Sequence, residues 1–86
     1  MTQPLLAGIA TADDRIALVR SLWAEVLETA DTESVPQDTN FFDAGGDSLL
    51  LVALVERIRQ ATGVPVRTMD VLRAGTVRGQ AALLEG

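Results

Sequence analysis

Ser48 is the side chain of this sequence best suited to chemistry, because it follows two glycines and an aspartate where an apolar helix is predicted to begin. Gly45 and Gly46 permit positive φ angles and let another molecule approach without meeting a Cβ atom. Unpaired N–H groups and the helix dipole at a helix N-terminus would favour a phosphate ester on the Ser48 hydroxyl. Asp and Ser are also common N-caps, so the same pattern is typical of a purely structural cap.

The sequence excludes the usual ways of activating a serine. It contains no histidine and no cysteine, which rules out a Ser-His-Asp triad, a Cys-His pair and a histidine metal site. No catalytic residue and no metal ligand can be assigned, and a hydrolase is disfavoured because no base accompanies Ser48. Any reaction at this hydroxyl is therefore expected to be carried out by another protein.

Composition predicts one small α-helical domain. Of the 86 residues, 48% are hydrophobic and only 3% are aromatic, which suits an aliphatic helical core better than a sheet. The net charge of −5 argues against a nucleic-acid partner. The sequence has neither an apolar stretch of about 18 residues nor a basic segment followed by an apolar leader, so we predict no membrane partner and a cytoplasmic location. We also expect a monomer.

The first long helix is predicted to begin near Thr11, with Asp14 three residues further on as in a loose capping box. Residues 1–10 contain a proline and a glycine without a helical period, so they are predicted to be a flexible tail, and residues 11–86 the folded domain. One face of the helix has apolar residues at helical spacing: Ile16, Val19, Trp23, Val26 and Ala30. Trp23 is expected to be the largest side chain in the core.

The second long helix is predicted to cover residues 48–61 and to end at Gly63. Its core face follows the i, i+3, i+4, i+7 pattern: Leu51, Leu54, Val55 and Ile58. Further apolar residues lie on the opposite face and its flanks: Leu49, Leu50, Val52 and Ala53. Because these cluster beside Ser48, a docking surface is the favoured interpretation.

The remaining segments predict a long loop and two further helices. The loop between the long helices contains Val35, Phe41 and Phe42, which are expected to pin it to the core, since long loops in small domains are usually functional or self-packed. Thr68 is predicted to cap a brief helix, and Thr76 a last, longer one. The predicted fold is all-α, with three longer helices and one short helix in a bundle.

The sequence resembles a carrier protein of the phosphopantetheine-binding family, and most closely the peptidyl carriers (thiolation domains) of nonribosomal peptide synthesis. The resemblance covers residues 16–84 and rests on four motifs: Leu22-Trp23-Ala24-Glu25-Val26-Leu27, Asn40-Phe41-Phe42-Asp43, Gly45-Gly46-Asp47-Ser48-Leu49 and Gly75-Thr76-Val77. It implies a four-helix carrier-protein bundle that catalyses no reaction itself.

The resemblance implies that a phosphopantetheinyl transferase, using coenzyme A and Mg²⁺, attaches 4′-phosphopantetheine to Ser48. The attached arm would hold an aminoacyl or acyl thioester and present it to adenylation, condensation and tailoring enzymes, as in antibiotic biosynthesis. Gly45, Gly46 and Asp47 would let the transferase approach and grip the turn. The implied partner surface combines two helices: Leu49, Leu50, Val52 and Ala53 with Met69 and Val71.

The sequence departs from the family pattern at five positions. The family usually has Leu at Ala44, Gly at Glu28 and Pro at Gly75. A large aromatic residue is common at Thr62, and an aliphatic residue at Gln80. These differences leave the motif around Ser48 intact but are expected to thin the core under the last two helices.

Two alternatives remain open at this point. Acyl carriers of fatty-acid or polyketide synthesis favour an acidic second helix, whereas this one has one acid and two arginines, which favours the peptidyl class. A small helical adaptor without a cofactor would use Gly-Gly-Asp-Ser only as a cap. Because the chain starts with Met and has no obvious linker, a free-standing carrier is expected in preference to an excised module.

Overall fold

The computed structural model describes residues 11–85, and this part of the chain forms four α-helices and no strand. Helix α1 spans Ala12–Val26, α2 Ser48–Thr62, α3 Thr68–Ala74 and α4 Val77–Ala82, with a 3₁₀ turn at Thr32–Ser34. The all-α prediction, with three helices of seven or more residues and one shorter, is confirmed. The shortest helix is α4, with six residues, whereas the sequence pointed to α3. The predicted tail lies outside the described residues.

The caps explain where the helices begin and end. The Thr11 hydroxyl oxygen accepts a hydrogen bond from the Asp14 N–H at 3.0 Å, as the sequence predicted, and Thr76 caps α4 in the same way. Thr68 was expected to cap α3 but is its first helical residue, and the N-cap Arg67 makes no side-chain capping bond. Helix α1 ends at Val26, so the predicted core residue Ala30 lies beyond the helix and is exposed.

The core is aliphatic and is centred on one aromatic pair. Trp23 is fully buried and is the largest of the fully buried side chains, as predicted. Its ring meets that of Phe41 edge to face, with centroids 4.9 Å apart, a favourable geometry for aromatic pairs. The predicted core stripe of α2 is buried throughout. Helix α1 packs against both α4 and α2, and α3 packs against α2 and α4.

Hydrogen bonds hold the long loop against the helices. The Arg20 guanidinium donates to the Val35 carbonyl oxygen at 2.9 Å, and Val35 is buried as predicted. On α4, Arg78 donates to the Asp38 carboxylate at 2.8 Å. This bond from the Arg78 guanidinium lowers the pKa of the Asp38 carboxyl below its usual value. The Phe41 N–H donates to the Gly75 carbonyl oxygen at 2.8 Å, which ties the loop before α2 to the end of α3.

Two of the departures from the family pattern are accommodated by hydrogen bonds. Thr62 is buried, and its hydroxyl donates to the Ile58 carbonyl oxygen at 2.8 Å and accepts from the Val64 N–H at 3.0 Å. Gln80 is also buried, and both ends of its amide are bonded. Neither side chain therefore places an unpaired polar group in the core.

Within residues 11–85, none of the helices is both long enough and apolar enough to cross a membrane.

Candidate functional site

Ser48 is the first residue of α2, and its neighbour does the capping. The Asp47 carboxylate accepts a hydrogen bond from the Leu50 N–H at 2.9 Å, with Asp47 in an extended conformation as the N-cap. Ser48 is exposed, and its hydroxyl makes no hydrogen bond to any other described residue. The pattern therefore does form a helix cap, through Asp47, and the Ser48 hydroxyl takes no part in it.

The turn before Ser48 is built on the Phe41 ring. A Cβ atom at Gly46 would lie 2.2 Å from Cε2 of Phe41, which no side chain could tolerate without movement of that ring. The Gly46 N–H donates to the Phe41 carbonyl oxygen at 3.0 Å, and the Asn40 side chain accepts from the Phe42 N–H at 2.9 Å. The structure thus gives Gly46 a role in packing inside the chain, and the access for partners expected at this glycine stays a prediction.

Gly45 lies beside open space, as expected of a residue that lets a partner protein approach the backbone. Its φ angle is +114°, a conformation that residues with a Cβ rarely adopt, and nothing lies within 4 Å of where a Cβ would be. Glycine is therefore required here by the backbone and not by a neighbouring side chain. The space beside Gly45 is open, three residues before Ser48.

Most of the predicted partner surface is exposed. Leu49 is 82% exposed, and Val52 and Met69 are each 54% exposed, while Leu50 and Ala53 are half-buried. Val71 was wrongly placed on this surface: it is fully buried, because α3 turns it towards the core. Met69 lies two residues away, about 200° around the helix, and therefore faces outward.

Phe42 is a further exposed apolar residue that the sequence interpretation assigned to the core. It is 39% exposed, and its ring packs edge to face on Phe41, with centroids 6.0 Å apart. Only one of two adjacent side chains in the tight turn 40–44 can point inward. The adjacency of Phe41 and Phe42 in the sequence is the signal that could have shown that only one of them is buried.

The arginines of the described chain divide into two groups. Five are bonded to other residues: Arg15, Arg20, Arg57, Arg59 and Arg78. Arg67 and Arg73 are exposed, and their side chains make no ion pair or hydrogen bond within residues 11–85. Both belong to α3 or its N-cap, and Arg73 lies four residues after Met69, on the same face of the helix. The exposed side of α3 thus combines an apolar side chain with arginines that make no ion pair, and the helix carries one acid, Asp70.

Comparison with known proteins assigns the chain to a family. A family model described as "Phosphopantetheine attachment site" matches residues 17–84. The chain belongs to the phosphopantetheine-binding carrier family. Proteins of this family bear 4′-phosphopantetheine as their covalent cofactor. No solved structure matches the chain.

The similar curated proteins are much longer than this chain. The chain is 37% identical over 79 residues to a hybrid PKS-NRPS synthetase, LUC5, from Fusarium sp, covering 91% of the chain and 2% of that protein. It is 39% identical over 64 residues to nonribosomal peptide synthetase 5 of Gibberella zeae, covering 74% of the chain and 1% of that protein. It is also 37% identical over 60 residues to the polyketide synthase-related protein Dhc1 of Alternaria cinerariae, covering 70% of the chain and 13% of that protein.

The residues around Ser48 fit a covalently attached phosphate ester. The hydroxyl is exposed and unbonded among the described residues, and it stands at the N-terminus of a 15-residue helix. The side chain of Asp47 occupies one N–H of the first turn, that of Leu50, and the positive end of the helix dipole is adjacent. No acidic residue follows Ser48 in the first turn of α2, so the carboxylate nearest to an added phosphate along the chain would be that of the N-cap Asp47.

Proposed function

We propose that Ser48 bears 4′-phosphopantetheine and that the chain carries aminoacyl groups between the enzymes of a peptide-synthesising assembly. The observation that supports this most directly is that different residues form the cap and carry the free hydroxyl at the start of α2. Asp47 provides the cap, which leaves the Ser48 hydroxyl exposed and available. When bound, the cofactor supplies a thiol on a long arm, and this sequence has no cysteine of its own.

The residues around Ser48 hold and present the hydroxyl. The Phe41 ring anchors the turn to Trp23 in the core, and Gly46 packs closely against that ring. These contacts give Ser48 a defined position relative to the bundle. The open backbone at Gly45 leaves room for a phosphopantetheinyl transferase, and the α2 dipole favours the negative charge of the ester. The chain itself is proposed to catalyse no step, in keeping with carrier domains of this family.

The charges on α2 and α3 favour a peptidyl over an acyl carrier. The only acid of α2, Glu56, lies 3.9 Å from the Arg59 guanidinium, and the exposed α2 residues that follow Ser48 in the first two turns, Leu49 and Val52, are apolar. On α3 and its N-cap, the side chains of Arg67 and Arg73 are unpaired, as is that of one acid, Asp70. Partners that read an acidic helix would find no such surface here. An acyl carrier remains the second candidate, because the similar proteins include PKS-containing synthetases.

The proposed partners are a phosphopantetheinyl transferase, an adenylation enzyme, and condensation or tailoring enzymes. They would meet the exposed residues Leu49, Val52 and Met69, with Leu50 and Ala53 at the edge of the same surface. Tethering on the arm would raise the effective concentration of the carried group at each enzyme. The cytoplasmic location and monomeric state remain predictions from the sequence.

Modification of Ser48 can be tested by intact-protein mass spectrometry. After incubation with coenzyme A, Mg²⁺ and a promiscuous phosphopantetheinyl transferase, the chain should gain the mass of one phosphopantetheinyl group. Ser48→Ala should keep the helical circular dichroism spectrum and gain no mass. Ser34→Ala is the matched control, because it removes another exposed serine and should be modified like the unaltered chain. Modification of the Ser48→Ala variant, or none of the unaltered chain, would contradict the proposal.

A further inference from the structure

Gln80 joins three helices through one buried amide. It lies on α4 and is 1% exposed. The Trp23 indole N–H of α1 donates to Oε1 of Gln80 at 2.8 Å, and Nε2 of Gln80 donates to the Val71 carbonyl oxygen of α3 at 3.1 Å. Because an indole nitrogen can only donate and a carbonyl oxygen can only accept, the amide has one orientation that satisfies both partners.

The amide of Gln80 contributes more by restricting the orientation of its hydrogen-bond partners than by filling space in the core. An aliphatic side chain of similar size would fill the same space and avoid the cost of removing a polar group from water. A hydrogen bond, in contrast, holds its two partners within a narrow range of distance and angle. The chain of bonds from Trp23 through Gln80 to Val71 therefore favours one placement of α3 relative to α1 and α4.

Helix α3 has few other constraints on its orientation. It has seven residues and no side-chain N-cap bond, and helices this short are marginal without tertiary contacts. Val71 is its only buried residue. At its C-terminus, the Gly75 N–H donates to the Val71 carbonyl oxygen and the Gly75 carbonyl oxygen accepts from Phe41. The carbonyl that Gln80 holds is thus the one that also closes the last turn of α3.

Val71, whose carbonyl oxygen Gln80 bonds, lies on the opposite side of α3 from the exposed residues Met69 and Arg73. Met69 and Arg73 are each two residues from Val71, so they project from the other side of α3. A rotation of α3 about its axis would move both of them relative to Leu49 and Val52 on α2. An interaction surface made from two helices keeps its shape only if this rotation is restricted.

We propose that Gln80 is a positioning residue for α3. Its amide fixes the orientation in which Met69 and Arg73 are presented, and without it α3 samples several orientations while the rest of the bundle keeps its structure. That these two residues meet partner enzymes rests on the proposed carrier function. The restraint on α3 stands on the hydrogen bonds alone.

The test compares two variants, of which only one retains the bond from Gln80 to Val71; that variant also keeps Oε1 of Gln80, which loses its indole donor, so protection of α3 is read relative to α1 and α2. Replacing Gln80 by itself would leave the Trp23 N–H buried without an acceptor, so both variants contain Trp23→Phe, which removes that donor and keeps an aromatic ring beside Phe41. Trp23→Phe alone retains the bond from Gln80 to Val71, and Trp23→Phe with Gln80→Leu removes it. The measurement is amide hydrogen exchange by NMR, comparing the Val71 and Gly75 amides of α3 with buried amides of α1 and α2.

Losing one hydrogen bond should lower the protection of the α3 amides by about three- to tenfold relative to those of α1 and α2. The exchange ratio between α1 and α2 should be the same in both variants. A parallel loss of protection in all helices would mean that Gln80 only contributes to overall stability, and would overturn the proposal. Equal protection of α3 in the two variants would overturn it as well.

A separate measurement distinguishes the failure of this inference from the failure of the proposed function. Transferase-catalysed mass gain on the unaltered chain tests Ser48 without reference to α3. If the unaltered chain is not modified, the carrier proposal fails, and the hydrogen-exchange comparison still decides whether Gln80 restrains α3. If modification occurs but α3 exchange is unaffected, only the positioning role of Gln80 is lost.

Discussion

Helices α1 and α2 have the same length, fifteen residues, but their apolar residues are covered to different extents. Helix α1 lies between α2 and α4, and no large hydrophobic residue on it is exposed. The exposed large hydrophobic residues of the described chain lie in the loop before α2, on α2 itself and on α3: Phe42, Leu49, Val52 and Met69. One face of the first two turns of α2 thus remains uncovered beside Ser48.

This difference separates residues needed for folding from residues available for association. The apolar residues of α1 are stabilised by burial within the chain. Leu49 is stabilised little by folding and Val52 only in part, and their exposure beside Ser48 is typical of a surface that is covered when a partner binds. Substitutions in α1 should therefore change stability, whereas those on the exposed face of α2 should change function.

The largest expected effect is that of Trp23→Ala in α1. Truncating a fully buried Trp should lower the free energy of unfolding by about 3–5 kcal/mol, which for a domain of this size is comparable with its total stability. Because Trp23 also supports Phe41, the turn before Ser48 should lose its order too. Urea denaturation followed by circular dichroism should find the variant largely unfolded at room temperature. A cooperative transition within about 1 kcal/mol of the unaltered chain would contradict this prediction.

The comparison of Leu49→Asp with Leu22→Asp sharpens the contrast between the helices. Leu22 on α1 is buried, so a carboxylate there should unfold the domain. Leu49→Asp should leave the urea midpoint nearly unchanged, because the side chain already lies in water. With the cognate adenylation enzyme, loading of the modified Leu49→Asp chain should nonetheless be strongly suppressed. Normal loading of this variant would show that the exposed face of α2 is not the docking surface.

Salt dependence of the same loading reaction separates the two carrier classes. Raising the ionic strength from 0.1 to 1 M shortens the Debye length from about 10 Å to about 3 Å. Recognition through Leu49 and Val52 should be only mildly affected, since apolar contacts are not screened. A steep loss of rate over this range would favour the acyl-carrier alternative.

The smallest expected effect concerns the ends of the two long helices. Both are followed by a residue in the left-handed region, Glu28 after α1 with a φ of 58° and Gly63 after α2 with a φ of 74°. Glycine adopts this conformation without the cost of a Cβ. Glu28→Gly should therefore raise the free energy of unfolding by about 0.5–1 kcal/mol, measured by urea denaturation.

Gly63→Ala should have the opposite effect, of similar size. Nothing lies within 4 Å of a Cβ built at Gly63, so its cost comes from the backbone conformation alone. If Glu28→Gly destabilises the chain, the Glu28 side chain contributes more than its backbone conformation costs.

The two long helices could be predicted from the sequence because their signals are local. The apolar stripe of α2 repeats at helical spacing from Leu51 to Ile58, Gly63 ends the helix, and the Thr11 cap begins α1. The errors fall where such a pattern is short. Helix α3 has only two turns, which was too little to show that Val71 faces inward and Met69 outward. Ala30 fitted the stripe of α1 by spacing, but the turn at Glu28 comes first.

By itself, the amino-acid sequence determined an all-α domain with an aliphatic core around Trp23 and a serine at the start of a helix that follows Gly-Gly-Asp. These features depend on residues near one another in the chain, so composition and period are sufficient to predict them. The tertiary structure decided that Gln80 is a bonded core residue, since its partner Trp23 lies 57 positions away. It also decided that Gly46 is needed for packing on Phe41 and that the side chains of Arg67 and Arg73 remain without partners within residues 11–85. Such pairings depend on how the helices pack together, which no local period specifies.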